Sequence, residues 1–201
     1  AKSVYIIGVR SSSMLANFLY YYLDLIMDNV HLVMTTGAGE VFEQIRRIGQ
    51  NDVIIGITFP RYSSRTKECL EIAKKSGADI VAITDNEVSP IASISDSVLY
   101  VKSDMASFVD SLVGPLSVIN ALIVSVGRKK KDSLKNTFKR LEELWEEFDV
   151  YENNKKYINS HYQIVDHPTD DDKVGIATIC SLSIDGLLIK ANKDVSSGKI
   201  K

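Results

Sequence analysis

Two stretches place hydroxyl side chains where a helix is about to begin: GVRSSS at residues 8–13 and TFPRYSSRT at residues 58–66. Each follows a Val- and Ile-rich run and leads into a longer stretch with helical periodicity. A serine hydroxyl can donate and accept, and the first backbone N–H groups of a helix have no partner within it. Together they can satisfy the oxygens of a phosphate. The competing explanation is local, because Ser is a favoured N-cap and one Ser before a helix needs no other reason. Here three serines open one helix, and Ser63, Ser64 and Thr66 open the other, so capping leaves most of the hydroxyls unassigned. The pattern predicts an anion site with Ser11, Ser12, Ser13, Ser63, Ser64 and Thr66 as its candidates.

Other phosphate and catalytic motifs do not fit. A dinucleotide fingerprint requires GxGxxG and an acidic residue closing the second strand, whereas the first loop has Gly8 alone and the second strand runs into MTTGAG. No GxxxxGK[ST] stretch is present, and GxSxG is absent, with histidines only at His31, His161 and His167. His161 and His167, with Asp166 and Asp170, match no metal-ligand spacing and read as solvated loop residues. No metal or cofactor is implied.

The elements that must position the serines are the runs VYIIG (4–8), HLVM (31–34), DVIIGIT (52–58), DIVAIT (79–84) and SVLYV (97–101). They are nearly continuous apolar stretches rather than in-out alternations, as expected of parallel strands covered by helices on both faces. The expected fold is α/β, a doubly wound five-stranded parallel sheet in an αβα sandwich of flavodoxin-like order, 2-1-3-4-5. In such a sheet the loops after strands one and three meet where the strand order reverses, so both serine loops would converge on one place.

Residues 105–126 form a long apolar stretch, read as helical and interrupted at Gly114-Pro115. Over 132–148, Leu134, Phe138, Leu141, Trp145 and Phe148 recur at spacings of four and three, an amphipathic helix that covers either its own domain or a second subunit. Two such surfaces in one domain of about 150 residues lead us to expect a homodimer or higher homo-oligomer. RKKK at 128–131 reads as a solvated helix start, not a nucleic-acid patch. The expected domains are 1–152 and a C-terminal extension, 153–201, of no assigned role.

With 201 residues, 45% hydrophobic, 25% charged and a net charge of -2, the chain reads as a globular protein without bias toward nucleic acid or anionic membrane. Its two cysteines, Cys69 and Cys180, lack CxxC spacing. No apolar run reaches the roughly 20 residues a membrane helix needs, and no secretory signal is visible, so a cytoplasmic location is expected. Ala1 enters a strand almost at once, which suits a piece of a longer protein.

The ordered set GVRSSS, GEVFEQ, GITFPRYSSRT, AITDNEVSPIASISDSVLYV and SDMASFVDSLVGPLSVINALI resembles the sugar isomerase (SIS) domain, in the version carried by RpiR/MurR-family transcriptional regulators. The likeness covers residues 2 to about 152. It implies a phosphosugar ligand held at the serine loops, a dimer, and DNA binding only through an N-terminal helix-turn-helix domain that this chain lacks. In this chain Ser64 stands where the family more often has Gly, Arg10 occupies another frequent glycine position, and Phe59-Pro60-Arg61 lengthens the second loop. These changes either add positive charge near the phosphate or reshape the loop. The fold also carries aldose-ketose isomerases, so catalysis is the alternative. Glu40, which opens the helix after strand two, resembles a Glu near the sugar in some of them. It equally suits a helix N-terminus electrostatically. Glu68 is a weaker candidate, and the second acid or base that isomerisation needs is missing from the pattern.

Overall fold

The computed structural model describes residues 1–34, 40–104 and 108–151. Ten elements follow in order: β1 (Val4–Gly8), α1 (Ser11–Ile26), β2 (Val30–Leu32), α2 (Glu40–Gln44), β3 (Val53–Ile57), α3 (Ser64–Lys75), β4 (Asp79–Thr84), β5 (Ser97–Tyr100), α4 (Val113–Lys129) and α5 (Lys131–Glu147). The strands form one sheet in the order β2-β1-β3-β4-β5, every pair parallel. This is the expected αβα architecture.

The side-chain period of two sends alternate residues of each strand into separate cores. Tyr5, Ile7, Ile54, Ile80 and Ala82 face one core, where Val41 and Ile45 meet Cys69, Leu70 and Ala73 of α3. Val4, Ile6, Ile55, Ile57 and Ile83 face the other, where they meet Leu15, Leu19 and Leu23 of α1 and Ile119 and Ile123 of α4. All five residues of β1 are buried, which accounts for their unbroken apolar run. Each fully buried Ile or Leu contributes about 1.5–3 kcal/mol, so the centre of the sheet is its most strongly fixed part. α4 and α5 lie on the α1 side.

Two expectations need correction. Residues 105–126 are not one helix broken at Gly114-Pro115: α4 begins at Val113, residues 108–112 are non-helical, and Gly114 and Pro115 belong to its first turn. The physical reason is that proline lacks only an N–H that the first turn would leave unpaired anyway, so it suits a helix start. Within this stretch Phe108 is 88% and Val113 75% exposed. RKKK does not simply start a helix. Arg128 and Lys129 close α4, Lys130 joins the two helices and Lys131 opens α5, so two of the four cations sit at a helix C-terminus, where positive charge is favoured. The proposed extension lies outside the described residues beyond 151, as do Cys180, His161, Asp166, His167 and Asp170.

Candidate functional site

The register pairs Gly8 with Ile57, so β1 and β3 end side by side, about 4.8 Å apart. From there the chain divides: α1 leaves toward one face of the sheet and α3 toward the other. The N-termini of two helices therefore flank the crevice at the reversal of strand order, and both serine loops sit there. Topology brings these loops together as expected.

The first loop is held tightly. A Cβ on Gly8 would lie 2.3 Å from the Ser12 carbonyl oxygen and 3.1 Å from the Ala16 Cβ, so only glycine lets the first turn of α1 settle on the end of β1. Arg10 is the N-cap at φ 58°, ψ -127°, backbone space that favours glycine, and its side chain makes no cap hydrogen bond. The three serines then diverge. Ser11 Oγ donates to Asp110 Oδ2 at 2.6 Å, Ser12 is buried, and Ser13 Oγ donates to the Arg10 carbonyl at 2.6 Å.

The second loop is a conventional cap. Ser63 Oγ accepts the Thr66 N–H at 3.2 Å, while the Ser63 N–H donates to Oγ1 of buried Thr58 at 3.0 Å. Ser64 is exposed at the first position of α3. Thr66 is fully buried, and its Oγ1 has no hydrogen-bond partner among the described residues. Arg61 has φ 62°, so each loop carries an arginine in the left-handed region before its helix. Both arginines are exposed.

Sequence patterns did not point to three neighbouring residues. Thr58 fixes the second loop from the strand end. Asp85, following β4, accepts from Tyr62 Oη at 2.9 Å and from Thr84 Oγ1 at 3.3 Å, tying that loop to the next strand. Burial, then the Asp85 hydrogen bond, raises the Tyr62 pKa, so its hydroxyl stays protonated as a donor. Asp110 lies in the stretch read as helix; only the tertiary structure shows its contact with Ser11. An open depression of about 520 Å³ beside this rim is lined by Asp85, Asn86, Glu87, Val88 and Tyr100 rather than by the serines. A phosphate needs converging donors more than a deep cavity, so hydrogen-bond geometry is the better guide to the crevice.

Glu40 is exposed at the start of α2, after the edge strand β2 and so on the same end of the sheet. Glu68 is exposed on α3. Its neighbour Cys69 is fully buried, and burial is the main cause that pushes its thiol up to about 11, leaving it an inert core residue. Among the described residues no cluster of His, Cys, Asp or Glu could hold a metal ion, and no helix is long and apolar enough to cross a membrane.

The architecture has known counterparts. The model of the SIS domain matches residues 1–125. An uncharacterized HTH-type transcriptional regulator of Caldanaerobacter subterraneus subsp. tengcongensis is 32% identical over 85 residues, which make up 40% of this chain and 30% of that protein. The match thus spans under a third of that relative's length. The sugar isomerase domain of an RpiR transcription factor from Sphaerobacter thermophilus superposes with a TM-score of 0.67 at 25% identity, covering 71% of this chain and 79% of that one. The Vibrio vulnificus NanR protein complexed with ManNAc-6P shares the fold, with a TM-score of 0.58 at 22% identity over 72% of this chain and 56% of that one. With more than half its length matched by the family model and its sheet arranged in the same way, the chain belongs to the SIS domain family.

Proposed function

We propose that the chain is the phosphosugar-sensing effector domain of a bacterial transcriptional regulator, binding a sugar phosphate so as to modulate DNA binding by a helix-turn-helix domain carried elsewhere in a longer protein. The observation that carries this reading is the crevice between β1 and β3, where the N-termini of α1 and α3 flank serines and α1 has no side-chain cap. Amides and hydroxyls there offer an anion hydrogen bonds without ordering a long side chain. In this reading Ser11, Ser12, Ser13, Ser63, Ser64 and Thr66 form the phosphate cradle, the buried Ser12 and Thr66 shaping it from within, and Glu40 stands toward the sugar. The likeness to HTH-type and RpiR regulators supports a sensor.

A homodimer accompanies this proposal, since Phe108 and Val109, just before α4, and Val113, its first residue, remain exposed. Light scattering should give about twice 22.3 kDa, and a particle of that single mass would contradict it. The direct test of function is a thermal-shift screen with hexose and amino-sugar phosphates, ManNAc-6P included. We expect stabilisation by at least one phosphosugar and none by its unphosphorylated sugar. Aldose-ketose turnover that disappears in Glu40→Gln would replace the sensor with an isomerase.

A further inference from the structure

We propose that Asp110 sets the affinity of the serine crevice, acting as an intramolecular anion that competes with the phosphate for Ser11. This rests on the phosphate-binding reading given above and adds to it a residue outside both serine loops. Ser11 Oγ has a single proton, and in this structure it is donated to Asp110 Oδ2 at 2.6 Å. A hydroxyl engaged in this way cannot donate to a phosphate as well. A carboxylate one hydrogen bond from Ser11 also repels a phosphate anion brought to the same helix end, where screening by water is reduced. Phosphate binding therefore requires Asp110 to withdraw.

The placement of Asp110 gives that withdrawal a consequence. It lies three residues before α4, in a connection anchored on its other side by Ser103, whose largely buried hydroxyl donates to the Ser111 carbonyl at 2.9 Å. The packing of α4 against α1 is fixed by Ile119 and Ile123, which share a core with Leu15, Leu19 and Leu23. Movement of Asp110 away from Ser11 thus falls on the short link between the crevice and the first turn of α4. The same turn carries the exposed Val113, one of the apolar residues for which the dimer provides cover.

The test is a titration of the folded protein with inorganic phosphate, followed by the backbone amide resonances of residues 11–13 and 64–66. Wild type, Asp110→Asn, Asp110→Ala and the control Asp104→Asn, an exposed acid in the same connection, are compared. Asp110→Asn keeps the shape of the side chain and removes its charge; Asp110→Ala removes the acceptor as well, and serves if the first variant is poorly folded. We expect both Asp110 variants to bind phosphate about tenfold more tightly than wild type, with Asp104→Asn within twofold of it. Equal affinities in wild type and both Asp110 variants, with shifts at both loops, would overturn the role of Asp110 and leave the phosphate site standing. Absence of shifts at both loops in every protein would overturn the two together.

Discussion

The loops after β1 and β3 occupy equivalent places in the fold, and both read Ser-Ser, yet their hydroxyls do different things. After β3, Ser63 caps α3 in the ordinary way and Thr58 secures its N–H, so helix formation alone accounts for that serine. After β1 the N-cap is Arg10, without a cap hydrogen bond, and Ser11 turns to an aspartate 99 residues away in the chain. A count of serines therefore overstates the second loop and understates the first. What distinguishes a cap from a binding element is where each hydroxyl goes, and by that measure the end of α1 is the part of the crevice that local structure does not explain.

The comparison can be broken most forcefully at Gly8. Gly8→Ala forces a Cβ against the Ser12 carbonyl and should cost about 3 kcal/mol or more in urea unfolding, because backbone rather than a flexible side chain must move. A loss under about 0.5 kcal/mol would show that the first turn of α1 is not seated as described. Ser63→Ala comes next, with about 1 kcal/mol lost from folding through the missing cap. No change there would remove the contrast between the loops. Arg10→Gly should work in the opposite direction, gaining about 1 kcal/mol by relieving the left-handed backbone, with the glycine's added unfolded-state entropy offsetting part of the relief. If it destabilises instead, the arginine side chain contributes more to the loop than its backbone conformation costs.

Much of the architecture was legible because burial on both faces leaves a plain mark. VYIIG, DVIIGIT and DIVAIT lie in the three central strands, and the helical segments that separate consecutive strands from β1 to β4 point to parallel pairing; β5 follows β4 without a helix between them. The position of the crevice followed from that order. Its internal wiring did not, for reasons that are physical. The Ser11–Asp110 contact is tertiary, and no local pattern encodes a partner across four intervening strands. Gly-Pro can break a helix or begin one, and at Gly114 and Pro115 the choice falls to the backbone on either side. Thr66 shows the same limit, since a hydroxyl one turn into a helix reads as available until packing encloses it.

The most direct test of the phosphate crevice is the ligand-induced melting shift of Ser11→Ala combined with Ser63→Ala, measured with the phosphosugar that stabilises the wild type. At about 100 times its dissociation constant, that ligand should stabilise wild type by roughly 2.7 kcal/mol, a shift of several degrees. Each hydrogen bond lost to a charged phosphate should cost about 1.5–3 kcal/mol of binding. We predict that the double variant melts lower and loses the ligand response. A double variant that melts lower but keeps the full shift would show that neither hydroxyl holds the ligand, Ser63 serving only as the cap of α3 and Ser11 only as a partner of Asp110, and would place the anion site elsewhere in the molecule.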